Sequence, residues 1–146
     1  MKGMTIIVKK VTQILCGVIF LYGIYIIAHG HLTPGGGFAG GVIITGSFVL
    51  LIISFGSEFV ALKKEETGSS VLESSAILIF LIVSALGLVL GGAGVFFVNY
   101  LPKGVVGRLI SAGVIPIFNV AVGIEVSAAL LTIFLALLIY HDEVLK

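Results

Sequence analysis

His29-Gly30-His31-Leu32-Thr33-Pro34-Gly35-Gly36-Gly37-Phe38-Ala39-Gly40-Gly41 interrupts a chain that on both sides is almost unbroken Ile, Val, Leu, Phe and Ala. Pro34 has no N–H to donate and biases Thr33 away from the helical region. Gly35-Gly36-Gly37 can then adopt whatever dihedrals a tight turn requires. Directly afterwards, Gly36-x-x-x-Gly40 and Gly37-x-x-x-Gly41 leave bare backbone along one side of whatever helix begins here. In hydrocarbon that spacing lets a second helix approach closely. The stretch reads as a turn at a membrane boundary that opens into a close-packed helix.

The composition agrees. Of 146 residues 59% are hydrophobic and 10% charged, with a mean hydropathy of +1.30. A soluble domain carries roughly 25% charged residues, so this chain cannot cover a water-facing surface and is an integral membrane protein. A crossing helix needs about 20 mostly apolar residues, and the apolar runs predict four, over residues 11–28, 38–55, 76–98 and 117–140. The fold class expected is all-α, a single integral membrane domain over 1–146. The first span is read as retained, since no A-x-A-like exit follows it. Lys9 and Lys10 would snorkel at its start, and Tyr22 and Tyr25 fall near its far end. Residues 57–73 form a polar connection whose Lys63-Lys64-Glu65-Glu66 cluster reads as a solvated helix end. Glu58 beside it is either solvated or reaches a partner. The stretch from Lys103 to Ile115 is apolar but Gly-punctuated and too short to cross, so an interfacial or re-entrant half-helix is expected before span four.

Four spans put both termini on one side, which collects Lys2, Lys9, Lys10, Lys63, Lys64 and Lys146; the other side has Lys103 and Arg108. The positive-inside rule then predicts cytoplasmic termini. The His-Gly-His turn and the Lys103–Pro116 segment would share the outer face. A net charge of +1 gives no sign of nucleic-acid binding, and a lone Cys16 excludes disulfides and cysteine-based metal sites. Cys16 is read as packing.

Few residues can carry chemistry. Glu125 lies roughly 12 Å into span four, and an acid there faces protein or water rather than lipid. Ala121, Ala128, Ala129, Thr132 and Ala136 share its face, and the larger Ile124, Leu131, Leu135 and Leu138 form the opposite stripe. Glu125 is thus either a protonatable group on an ion path or a structural anchor bonded to a neighbour. Asn119, on a different face, caps the helix or packs across helices. His29 and His31 are candidates for proton relay or gating, or simply parts of the turn; an H-x-H pair with no third ligand gives no metal site. Gly87-x-x-x-Gly91 in span three is a second close-approach ridge. The sequence has no Walker loop, no dinucleotide-type glycine motif after a strand and no nucleophile elbow, and the glycines at 35–41 lack a following Lys in register. No cofactor is expected, and the chain is not an enzyme by itself.

The run His31-x-x-Pro34-Gly35-Gly36-Gly37-Phe38-x-Gly40-Gly41 resembles the signature of the B subunit of Mrp (Mnh) multisubunit sodium/proton antiporters. The likeness extends over most of the chain, through the four-span layout and a last span that opens with a polar residue after Ile117-Phe118. It implies an accessory membrane subunit of a large complex. The same module is known inside archaeal respiratory complexes, including membrane-bound hydrogenases and sulfur-reducing relatives, where a redox arm is coupled to sodium or proton movement. The family's antiporter versions tend to carry Asp-x-Gly-Val-Tyr early in the last span. Here Asn119-Val-Ala-Val-Gly123 stands in that place and the acid, Glu125, comes later. The departure points toward the respiratory-complex branch. Partner subunits would then press on the glycine ridges. A purely structural, lipid-sealing subunit and a self-sufficient small transporter remain as alternatives.

Overall fold

The structure, a computed structural model, describes residues 3–56, 62–92 and 94–144, with side chains for all of these except 62–67 and 141–144. Glu58, and the side chains of the Lys63–Glu66 cluster, lie outside the described residues. Four helices follow one another: α1 (Ile6–Ala28), α2 (Gly36–Phe55), α3 (Leu62–Leu90) and α4 (Ile115–Val144). Each contains a stretch long and apolar enough to cross a bilayer, and no strand occurs among the described residues. This is an all-α membrane protein.

The helices do not close into a ring. α2 packs between α1 and α4, and α4 packs between α2 and α3, giving the order α1, α2, α4, α3. Burial follows that order: 33% and 28% of the spanning windows of α2 and α4 are buried inside the molecule, against 17% for each of α1 and α3. The outer helices therefore present most of their surface to whatever surrounds the chain.

Glycine sets the spacing of the first three helices in the row. Gly23 of α1 and Gly40 of α2 face each other, and a methyl group on Gly40 would lie 2.8 Å from the Gly23 carbonyl oxygen. On the adjacent side of α2, a methyl on Gly41 would lie 2.8 Å from the Gly123 carbonyl oxygen of α4, and one on Gly37 would run into the Asn119 carbonyl. Ile27 fills the space where the three helices meet, against Gly40 and Gly123. The ridges expected to receive partner subunits are thus occupied within the chain. The same holds for Gly87 and Gly91: their bare side meets the chain's own Val98, not another helix.

The turn from α1 to α2 is held by its backbone. The His29 carbonyl accepts from the N–H groups of Leu32 (2.8 Å) and Thr33 (3.0 Å) and from the Thr33 hydroxyl (3.1 Å). Gly35 (φ 137°) and Gly36 (φ 71°) then redirect the chain through dihedrals that a side chain would strain. At the opposite end the Met4 N–H donates to the Ser54 carbonyl at 2.8 Å, and the Lys9 ammonium lies 5.4 Å from the Phe55 ring centroid.

Two expectations are corrected after Leu90. Span three was expected to run to residue 98, but the helix stops eight residues earlier because Gly91, Gly92 and Gly94 follow it, the last two with φ of 66° and 64°. The apolar residues beyond, Val95 to Val98, turn back over the helix end. The half-helix expected from Lys103 is also absent: Gly104, Gly107, Ala112 and Gly113 all have positive φ, and the described residues up to Val114 stay irregular. Asn99 holds this long connection together, its Oδ1 accepting from the N–H groups of Leu101 (3.2 Å) and Val114 (3.1 Å). Pro116 sits in the first turn of α4, where its missing N–H costs no bond.

The Leu stripe of α4 has a role the sequence did not show. Leu135 (0% exposed) and Leu138 (8%) are buried with Ile52 of α2, backed by Leu131 and Phe134. A helix in the middle of a row has two covered faces, so its greasy side is core as well. Single hydroxyls tie the row together. The Thr45 hydroxyl of α2 shares its one hydrogen between the Ser127 carbonyl of α4 at 3.0 Å and its own helix's Gly41 carbonyl at 3.1 Å, and the Ser69 and Thr132 hydroxyls join α3 to α4 at 2.7 Å. Replacing Thr45 by valine keeps the shape and removes the bond across helices, worth about 0.6 kcal/mol in membranes. The expected result, read on this chain within the detergent-purified native complex, is a thermal midpoint lower by about 2 °C. Ser127→Ala, which leaves the accepting carbonyl in place, should not move it.

Candidate functional site

Glu125 lies ten residues past the start of α4, about 15 Å along the axis. That is half the depth of a hydrocarbon core of about 30 Å. Its neighbours at −4 and +3, Ala121 (4% exposed) and Ala128 (5%), are buried, and Ala76 of α3 (1%) lies at the crossing of the two helices. Between α3 and α4 a cavity of about 210 Å³ remains, lined by Ala76, Ile77, Phe80, Ala121, Val122 and Glu125. The carboxylate is half-buried there and, among the described residues, has neither a hydrogen-bond partner nor an ion-pair partner. Apart from Glu125, every side chain lining the cavity is apolar. Phe80, Phe97 and Phe118 cluster beside it toward the turn end, with ring centroids 4.8 to 5.9 Å apart. Phe97 adopts φ of 62° as the returning loop lays its ring over the helices.

The other predicted residues gather at the turn end. The His29 ring stacks on Tyr25 at 4.1 Å, and its Nδ1 pairs with the Tyr25 carbonyl at 3.0 Å. With hydrogen on Nε2, the His31 ring donates to the Arg108 carbonyl at 3.4 Å. The turn and the Lys103–Pro116 segment therefore do share one face of the molecule. The Asn119 side chain packs against Gly30 and Gly36, directed at the turn rather than along the face of Glu125. Its Nδ2 is buried without an acceptor, and the His31 Nδ1, which carries no hydrogen in this tautomer, is buried without a donor. Six residues separate Asn119 from Glu125, about 9 Å of helix, so the histidines and the acid form two places rather than one. No group of three or more His, Cys, Asp or Glu that could hold a metal occurs among the described residues.

Cys16 is buried and donates to the Ser47 carbonyl at 3.1 Å, in keeping with packing. Sequence reasoning missed Gly23 and Gly123, which complete the glycine crossings, and Thr45, Ser69 and Asn99. Each is a single small or polar residue in an apolar or loop context, and a lone residue makes no periodic signal.

Residues 7–132 match a family model described as a domain related to the MnhB subunit of the Na+/H+ antiporter. An uncharacterized protein of Methanocaldococcus jannaschii is 36% identical over 118 residues, covering 75% of this chain and 43% of that protein. A Staphylococcus epidermidis protein described as antiporter subunit mnhB2 is 38% identical over 55 residues, 38% of this chain and 39% of its own length. Among solved structures, a chain of the membrane-bound sulfane sulfur reductase, an archaeal respiratory membrane complex, superposes with a TM-score of 0.76 at 32% identity. That match covers 92% of this chain and 58% of the other. The chain thus spans between about two fifths and three fifths of the proteins it resembles.

Proposed function

The chain belongs to the family of domains related to the MnhB subunit of Na+/H+ antiporters, and from that premise we propose that it is an accessory membrane subunit of an antiporter-type module. The module moves sodium or protons, and the similarity to a chain of a sulfur-reducing respiratory complex supports a place in a respiratory assembly. One observation carries the role within it: an acid near the middle of the bilayer opens into an apolar cavity with no partner among the described residues of its own chain. Charge in that position faces protein or water. Glu125 is the residue of this chain on the ion route. His29 and His31 are held as parts of the turn, and neither is assigned to the route. Both termini lie in the cytoplasm, as the excess of lysine at their end supports.

Glu125→Gln in the native complex tests this. Sodium/proton exchange in inverted membrane vesicles should fall to near background while the complex still purifies with every subunit. Unchanged exchange would leave the chain a lipid-sealing structural subunit. The protein should also copurify with several membrane partners and aggregate when expressed alone. A stable monodisperse monomer in mild detergent would count against the accessory role.

A further inference from the structure

On the reading that this chain works inside a complex, we propose that a transmembrane helix of another subunit lies over the cavity between α3 and α4, and that its lysine or arginine side chain enters the cavity and pairs with Glu125. The first support is charge. The lysines and arginines whose side chains are described are Lys9 and Lys10 of α1 and Lys103 and Arg108 of the long connection, and none lines the cavity. Lys64, the nearer of the two lysines early in α3, is twelve residues from Ala76, about 18 Å along the helix and out of reach.

The second support is the lining. A sodium ion held by this chain alone would need several oxygen ligands, as hard cations generally do. Ala76, Ile77, Phe80, Ala121 and Val122 supply no side-chain oxygen. The acid is positioned for a single opposite charge, and its surroundings are shaped for apolar contact. Lipid tails would leave the carboxylate unsatisfied, which is the outcome membranes avoid.

The third support is the row itself. α3 packs chiefly on α4, and its other faces are open, with Ile77 (52% exposed) and Leu81 (57%), one turn apart on the cavity side, available as one wall of a seat. Ala76 and Ala121 at its floor have no bulk to hold a helix off. A basic side chain entering there meets the carboxylate with its stem against apolar walls, the way such side chains bury their methylenes.

The test uses the native complex with p-benzoylphenylalanine in place of Ile77, at the rim of the cavity. Irradiation should give one protein adduct, mapped by mass spectrometry to a transmembrane helix with a lysine or arginine within about one helical turn of the labelled residue. Glu125→Lys should then cut the amount of this chain retained in the complex by roughly tenfold or more, as removing one partner of a buried pair does. Exchanging the mapped basic residue for glutamate in the same strain should restore it. Adducts with lipid alone, a mapped helix lacking a basic residue, or a double exchange no better than Glu125→Lys would each overturn the proposal. Failure here is separable from failure of the ion-route reading. A restored charge swap with normal exchange in Glu125→Gln leaves the docking and removes the route; lipid adducts with abolished exchange do the reverse.

Discussion

Replacing Gly37 by valine should all but eliminate the folded chain, whereas replacing Gly46 by alanine should leave it intact. Both positions lie in α2 and both are glycine, so composition and helix propensity cannot distinguish them. Their surroundings do. A Cβ on Gly37 would run into the Asn119 carbonyl oxygen and approach the Gly123 nitrogen to 3.0 Å, and backbone cannot step aside as a flexible side chain can. α2 and α4 would have to separate, and with them the glycine crossing at Gly41 and the seat of Ile27. Overpacking of this kind costs about 3 kcal/mol or more, which is more than roughly a hundredfold in the folding equilibrium. Around Gly46 nothing lies within 4 Å of an added Cβ. There alanine should contribute about 0.5–1 kcal/mol, because glycine in a helix interior carries an entropic cost. The measurement is the temperature at which half of the native complex carrying the fluorescently tagged chain ceases to elute as a sharp peak in detergent. Gly41→Ala should fall between the two. Equal behaviour of the valine and alanine variants would mean that the helices are not held at the distance seen here.

The same contrast explains what the sequence could and could not convey. Long apolar runs broken by His29–Gly41 were enough for four membrane helices, because hydrocarbon admits few alternatives for unbroken apolar chain. Gly36-x-x-x-Gly40 and Gly37-x-x-x-Gly41 announced close approach, but a ridge does not name its partner. Here the partners are α1 and α4 of the same chain. What decides this is the connection over residues 91–114. It is long enough for α4 to return past α3 and insert beside α2, and connection length does not reveal which helix the chain will return to. Hydropathy also failed at the end of α3, since Val95 to Val98 are as apolar as a span while the glycines before them break the helix. Glu125 stood out because charge in an apolar run is costly. Its lack of a partner became visible only once α3 was seen to bring alanine, isoleucine and phenylalanine to it.

Asn99→Ala should open the connection between α3 and α4 to protease, and Asn99→Asp should not. The connection has little else to hold it. Val106 is 96% exposed and Ile110 89%, so its apolar side chains contribute almost nothing to its order within the chain. Its shape depends on one side-chain oxygen, which accepts from Leu101 just after the residue itself and from Val114 at the threshold of α4. Val114 is 3% exposed, so its N–H would be left in a dry environment if the acceptor were lost. An unsatisfied buried donor costs about 1–3 kcal/mol, and where opening is fast compared with cleavage, proteolysis follows the open population. Tryptic cleavage after Lys103 and Arg108 in the detergent-solubilised native complex should therefore accelerate by roughly tenfold or more. Aspartate keeps an oxygen in the same place and should retain slow cleavage. The effect should also reach the turn, because His31 docks on the Arg108 carbonyl and Asn119 lies close beneath Gly30. If Asn99→Ala were cut no faster than the parent, the connection would be held by contacts outside this chain, and the Asn99 oxygen would be incidental to it.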